Sequence, residues 1–199
     1  MSLPSTGDAD TFNPAVPATS QKGDLLGVLM SHFRRPWGLN RVNAMMGWHG
    51  CRPDVWIKIA ETGFASLARE DSGYFGHGVY ATLNASYACL YATGDVSQQG
   101  RVKGRMGSDG VEEWCIVLGC IGVGMCYPVT RDTDYRTNGR TCDLEGKGIG
   151  GGYDSHVAGI GVHARFQATD DPTTADAYEV VLKAENQMLP LGVVWFRRK

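Results

Sequence analysis

No stretch of this chain approaches the ~20 consecutive apolar residues that a membrane-spanning helix requires. The opening residues also lack the charged-then-apolar order of a secretory signal. A soluble protein of the cytoplasm or nucleus is therefore expected, with export through a polar signal left open. Positive charge is not in excess either: 19 Lys and Arg face 21 Asp and Glu, for a formal net charge of −2. Without a basic field to hold a phosphate backbone, nucleic acid is not an expected partner. The six cysteines (Cys51, Cys89, Cys115, Cys120, Cys126 and Cys142) include no CxxC pair. Zinc sites want tighter ligand spacing, so no metal is expected. Cys115, Cys120 and Cys126 sit in the apolar run 114–127, where cysteine acts as a small hydrophobe, and the thiols read as reduced. No internal repeat and no regular βαβ alternation occur.

What is present suits one domain. The chain has 199 residues, of which 43% are hydrophobic. Residues 1–23 are rich in Ser, Thr, Pro, Gly, Asp and Ala and read as a disordered tail or linker, leaving 24–199 as the domain. A short helix through Leu25, Leu26, Val28, Leu29 and Phe33 is expected, ended by Pro36. Residues 41–48 read as extended and lead into His49-Gly50. A clear helix follows, with Pro53 at its first position and Gly63 as its stop. Residues 64–72 read as a loop, and 84–92 as a helix ending at Gly94, with Tyr87 and Tyr91 on one face.

The polar, basic stretch 98–110 ends in a turn signal, and 113–123 fits a buried strand. Residues 130–155 are polar and glycine-rich and read as one long loop of the kind that is usually functional. Two strands, 177–182 and 192–196, close the chain around Pro190. Few helices and several strands predict an α+β fold with a split, mostly antiparallel sheet.

Three stretches carry chemistry. In Trp48-His49-Gly50 the glycine allows a ligand to approach the backbone, and a neutral imidazole can bond a hydroxyl. A histidine beside a turn glycine at a strand end is the alternative. The run 72–80 contains Gly73, Gly76 and Gly78 and ends at Tyr80; no lysine with Ser or Thr follows at phosphate-loop spacing. Tyr80 and Tyr91, eleven residues apart, would sandwich a flat aromatic ligand or simply pack in a core. In Tyr178-Glu179-Val180-Val181-Leu182, alternation puts Glu179 with Val181 on one face and Tyr178, Val180 and Leu182 on the other. Glu179 there serves a site or faces water.

Taken in order, these stretches resemble the H-Y-E signature of ADP-ribosyltransferases of the poly(ADP-ribose) polymerase type, which have a diphtheria-toxin-like catalytic fold. WHGCRPDVWIKIAETGF is similar to the family's opening segment, GYFGHGVYATLNASYACLYA to its glycine-rich stretch, and YEVVLKAENQMLPLGVV to its closing segment, with Gln187 eight residues after Glu179. The resemblance implies that His49 bonds the adenine-side ribose of NAD and that the Gly50 backbone holds the nicotinamide carboxamide. It implies that Tyr91 stacks on the nicotinamide, that Tyr80 forms the opposite wall, and that Glu179 bonds the 2′-hydroxyl of the nicotinamide ribose. Three positions depart from the family pattern: Ala88 replaces a serine, with Ser86 as a substitute carboxamide ligand, His77 replaces a lysine, and Cys51 replaces a serine.

The expected activity is an NAD-dependent ADP-ribosyltransferase that releases nicotinamide and attaches a single unit to a protein acceptor. The short stretch between Phe64 and Gly73 and the lack of room for a helical regulatory subdomain favour single-unit transfer. The chain is expected to act as a monomer. Competing readings are an NAD- or ADP-ribose-binding pseudoenzyme and an NAD glycohydrolase on the same fold. A thiol hydrolase built on Cys51 and His49 has no third orienting residue. Arg131, Arg136, Arg140 and Lys147 in the 130–155 segment would meet an acidic partner or simply be solvated.

Overall fold

A computed structural model describes residues 16, 20–31, 43–64, 73–95, 101–136, 141–161, 167–169 and 171–198. Most of the expected tail, Phe33 and Pro36, the loop at 65–72 and residues 98–100 lie outside the described residues. The described elements are α1 (Gln21–Ser31), β1 (Ala44–Cys51), α2 (Pro53–Thr62), β2 (Val79–Thr82), α3 (Ala85–Thr93), β3 (Arg105–Met106), β4 (Glu112–Gly122), β5 (Cys126–Val129), α4 (Arg131–Asp134), β6 (Ser155–Gly161), β7 (Gln167–Ala168), β8 (Ala177–Leu182) and β9 (Met188–Phe196).

Local chemistry sets the helix ends. Pro53, which has no N–H to leave unpaired, opens α2. Gly63, at φ 76°, closes it and donates its N–H to the Ile59 carbonyl at 2.8 Å. In α3, Asn84 is the N-cap and Gly94 the left-handed C-cap. α1 starts at Gln21, three residues ahead of Asp24, and buries Leu25, Leu26 and Leu29.

The strands run in the order β3-β4-β1-β2-β8-β6-β5, with β9 paired to β4 and β7 to β6. All pairs are antiparallel except β5 with β6. The centre of this sheet positions the site. β1 pairs with β4 over its whole length, from Ala44 opposite Gly122 to Cys51 opposite Cys115. With β2 it shares one registered pair, Trp48 opposite Thr82. The sheet is thus an α+β split sheet, whose two halves part between β1 and β2.

One core lies on the face carrying Met45, Val117, Ile121, Val180 and Leu182, under α1 and Ile59 of α2. On the opposite face, α3 sets Ala88 and Ala92 against Trp114 and Ile116. A third cluster joins Tyr87 and Val181 to Ala158 and Ile160.

Several elements differ from expectation. The 130–155 segment contains the short helix α4, and Tyr135 bridges to Cys142 within it. β3 forms inside the basic stretch 98–110, and β5, β6 and β7 are strands that alternation does not mark. β9 begins at Met188 rather than Gly192 and includes Pro190. Proline is tolerated there because β9 pairs, among the described residues, with β4 alone.

Candidate active site

The site residues gather where the sheet splits. His49 lies within β1, one residue past the shared pair, and not at the strand's end. Its Nδ1 is 2.7 Å from the Tyr80 carbonyl oxygen of β2. A carbonyl only accepts, so Nδ1 carries the proton and the neutral ring offers Nε2 as an acceptor. The imidazole therefore ties the two sheet halves together where backbone pairing stops. Its ring also meets Phe64 edge-on, with centroids 5.1 Å apart.

Gly50 is pressed against α3. A Cβ added there would collide with the Ala88 carbonyl oxygen and come within 2.9 Å of the Tyr91 Cβ. The same contact brings Tyr91 beside the His49-Gly50 backbone. From α3 the Tyr91 hydroxyl donates to Glu179 Oε1 at 2.8 Å, and the Tyr87 hydroxyl lies 3.3 Å from that of Tyr91. Burial pushes the Tyr91 and Tyr87 phenols up, and the Glu179 charge adds to this in both. Both hydroxyls accordingly stay protonated and able to donate. Glu179 is 4% exposed and sits on β8 opposite Thr82 of β2 and Ala158 of β6. It shares its face with Val181, and Val180 and Leu182 enter the other core, as alternation requires.

The corner between β2 and α3 is clamped onto the residue beside Glu179. The Asn84 Oδ1 accepts from the Tyr178 N–H at 3.0 Å, and the Thr82 hydroxyl donates to the Tyr178 carbonyl at 2.7 Å. Sequence reasoning missed both residues; the asparagine N-cap before α3 was the one local signal. Gln187, singled out for its spacing, is a second clamp. It accepts from the Ala184 N–H at 2.7 Å and donates to the carbonyls of Gly122 at 2.9 Å and Asp154 at 3.1 Å.

Tyr80 closes the glycine-rich stretch on itself. Its hydroxyl accepts from the Phe75 N–H at 2.9 Å and donates to the Gly76 carbonyl at 2.8 Å. His156 holds the same turn, with Nδ1 2.7 Å from the Phe75 carbonyl oxygen. The segment after α4 docks there too: the His77 N–H donates to Lys147 O at 2.8 Å and the Gly146 N–H to Gly73 O at 3.1 Å. Ser86 is exposed, on the side of α3 turned away from buried Ala88, while His77 is exposed at the turn. A separate cavity of about 530 Å³ lies between α2, β3 and β9, lined by Trp56, Ile57, Lys103, Arg105 and Trp195. It includes none of His49, Tyr80, Tyr91 or Glu179 and is not part of this site.

Acid should loosen this architecture. Burial holds the His49 imidazole below its usual 6.5, against the opposing pull of its bond to the Tyr80 carbonyl. Burial does the same to His156, with the Phe75 carbonyl and Asp134 opposing and Lys22 adding. Their unfolded counterparts take up a proton at about 6.5. Below that pH the unfolded chain binds more protons, so the stability from both neutral rings is complete above about 6.5 and declines as pH falls. The decline is expected to be about 1.4 kcal/mol per pH unit for each histidine, until the folded value is reached. Denaturant titrations between about pH 7.5 and pH 5, above the carboxylate range, measure it. A midpoint that stays level or rises on acidification contradicts this assignment.

Among the described residues, no group of three or more His, Cys, Asp or Glu is arranged to hold a metal ion. No described helix is long and apolar enough to cross a membrane. The family model of the poly(ADP-ribose) polymerase catalytic domain matches residues 29–151, more than half of the chain. That span holds His49, Gly50, Tyr80 and Tyr91 and stops short of Glu179. No curated protein matches the chain.

Proposed function

The chain belongs to the poly(ADP-ribose) polymerase catalytic-domain family and is an NAD-dependent ADP-ribosyltransferase; from that premise we propose that it attaches a single ADP-ribose unit to a protein side chain. Nicotinamide is the leaving group. The bond between its ring nitrogen and the ribose C1′ breaks, an acceptor atom bonds to C1′, and the acceptor's proton leaves to solvent.

The observation that carries this reading is the buried Glu179 carboxylate, held by the Tyr91 hydroxyl beside the His49-Gly50 backbone. Loss of nicotinamide leaves positive charge on the ribose, as in glycoside cleavage. A fixed carboxylate out of water stabilises that charge without having to reorganise. Tyr91 thus has two tasks: its ring faces the nicotinamide, and its hydroxyl orients Glu179. Tyr80, fixed by the 73–76 turn, supplies the opposite wall. His49, neutral with Nε2 as acceptor, takes a hydrogen bond from the adenine-side ribose. The tight seat of Gly50 supports a backbone contact to the carboxamide, since only a residue without a Cβ lets β1 approach α3 this closely. Ser86 faces solvent, so the carboxamide contact rests on the Gly50 backbone rather than on Ser86.

Charge supports single-unit transfer. A growing ADP-ribose polymer adds a diphosphate with each unit, whereas this chain carries a net −2. Arg101, Arg105, Arg136, Arg197 and Arg198 are already paired with acidic side chains. The segment around α4, docked on the turn that carries Tyr80, is the surface proposed to meet the protein acceptor.

Incubation with labelled NAD and a cell lysate, followed by mass spectrometry of the modified proteins, tests the reading. Single ADP-ribose increments on side chains are expected. Ladders of increments overturn the single-unit proposal, and free ADP-ribose without labelled protein overturns transfer to protein.

A further inference from the structure

Cys51 and Cys115 stand directly opposite each other, Cys51 at the end of β1 and Cys115 on the antiparallel strand β4. Both side chains enter the same core cluster, Cys51 at 7% and Cys115 at 0% exposure. The Cys115 Sγ donates to the Cys51 carbonyl oxygen at 3.9 Å, and the two thiols are in hydrogen-bond contact. Directly opposed residues of an antiparallel pair have Cα atoms ~4.5–5.5 Å apart, inside the range a disulfide spans. The other cysteines have no such partner: Cys120 faces Met46 and Leu189, Cys126 faces Ser155, Cys142 faces Tyr135, and Cys89 lies on α3. All six are free thiols. Buried cysteines ordinarily only fill space, and it is this direct opposition that sets the pair apart.

We propose that Cys51 and Cys115 form a reversible cross-strand disulfide when the protein meets hydrogen peroxide, and that closing it weakens NAD binding. Cys115 is the attacking sulfur. The hydrogen bond from Cys51 holds its thiol below the usual value, Arg105 adds to this, and burial and Asp54 oppose it. The Cys51 thiol is pushed up, first by that same contact and then by burial. The Cys115 thiolate attacks one peroxide oxygen and expels hydroxide, leaving a sulfenic acid. The Cys51 sulfur then bonds to the Cys115 sulfur and expels water. Two thiols and one peroxide give one disulfide and two waters; the sulfurs are oxidised and the peroxide oxygens reduced. Cys51 lies at the end of β1, and local opening there admits peroxide to the buried pair and the reducing thiol in the reverse step. Excess thiol restores the pair by exchange.

The functional consequence rests on the proposed role of Gly50. A disulfide closes the sulfurs to ~2.05 Å and fixes the Cβ–S–S–Cβ torsion, so the two side chains swing toward each other and turn the peptide between Gly50 and Cys51 while the strands keep their spacing. Gly50, the residue before Cys51, is packed against Ala88 and Tyr91 without room for a methyl group. Moving it displaces the backbone against the Tyr91 ring.

The test treats the full chain with peroxide, blocks the remaining thiols, digests without reductant and maps linked peptides by mass spectrometry. A Cys51–Cys115 linked peptide is expected in the natural chain and in Cys120→Ser, and none in Cys51→Ala. Six unreacted thiols, or linkage only between other cysteines, overturns the disulfide whether or not the protein turns over NAD. In parallel, the KM for NAD is expected to rise several-fold on oxidation, to return with dithiothreitol, and not to respond to peroxide in Cys51→Ala. A linked peptide with unchanged KM overturns the effect on NAD and leaves the disulfide standing.

Discussion

Glu179→Gln should slow nicotinamide release about 10²–10³-fold, the range for removing one preorganised electrostatic group from a transition state. The substitution is nearly isosteric. The amide oxygen still accepts the hydroxyl of Tyr91, a bond of 2.8 Å in the natural chain, so the β8–α3 contact survives. What disappears is the negative charge in a position that is 4% exposed, where no water moves in to replace it. In the proposed site, ground-state binding of NAD rests mainly on the Tyr80 and Tyr91 rings, the His49 acceptor and the Gly50 backbone, and each of these is untouched. The loss should therefore fall on kcat, with KM near its original value, because the interaction removed strengthens only as positive charge develops on the ribose. Trading a buried carboxylate for a hydrogen-bonded amide also relieves a desolvation penalty, so the melting temperature should hold or rise. Unchanged turnover removes Glu179 from the reaction. A large loss of turnover accompanied by a lowered melting temperature makes it a structural residue.

The strand that carries Glu179 was legible because β8 alternates between two faces, and its bounds, Ala177–Leu182, match those read from the sequence; alternation alone left Glu179 at a site or in water, and the family resemblance with the spacing to Gln187 singled it out. α2 was equally plain, with proline at one end and glycine at the other. β6 was not. All but its last residue are buried, His156 included, so it has no polar face and no period of two to find. β5 is four residues long and includes Pro128, which argues against a strand when read locally. Within the site, His49, Tyr80 and Glu179 stood out from their flanking residues. The contacts that orient them did not. Tyr91 meets Glu179 across 88 positions, and Asn84 meets Tyr178 across 94. Such pairs are set by sheet register, which no window of sequence contains. The split between β1 and β2 is likewise a register property, seen only in the lone Trp48–Thr82 pair. The reading of 130–155 as one loop failed at α4, since Arg131–Asp134 carries no apolar periodicity and is held by a carboxylate instead.

That carboxylate, Asp134, is where a substitution should cost the most stability. It is 5% exposed and ends α4. One oxygen accepts the Tyr127 hydroxyl at 2.5 Å. The other accepts the Thr130 N–H at 2.8 Å and the Thr133 hydroxyl at 3.0 Å, and lies 3.0 Å from Lys22 Nζ. Lys22 itself donates to the Tyr127 hydroxyl at 2.6 Å and sits 4.0 Å above that ring. One side chain thereby fastens α1 to β5 and α4. Asp134→Ala removes the acceptor for all four donors and strands the Lys22 ammonium, which is mostly out of water. Breaking a buried ion pair from one side costs about 3–5 kcal/mol, a large share of the ~5–15 kcal/mol that holds a typical domain folded. Lys22→Met should cost less, because Asp134 keeps Tyr127, Thr130 and Thr133, and the methionine still covers the Tyr127 ring. The double variant should then lose less than the two single losses together, because the charge that each leaves unpaired is gone. Urea titrations of the three variants measure this. Strict additivity, or a loss below about 1 kcal/mol for Asp134→Ala, would reduce the cluster to an ordinary surface pair. Because α4 opens the segment that docks on the 73–77 turn, a milder variant such as Asp134→Asn should also raise the share of NAD lost to water relative to that transferred to protein. That shift in partition, at unchanged nicotinamide release, would separate an acceptor-side role from a purely structural one.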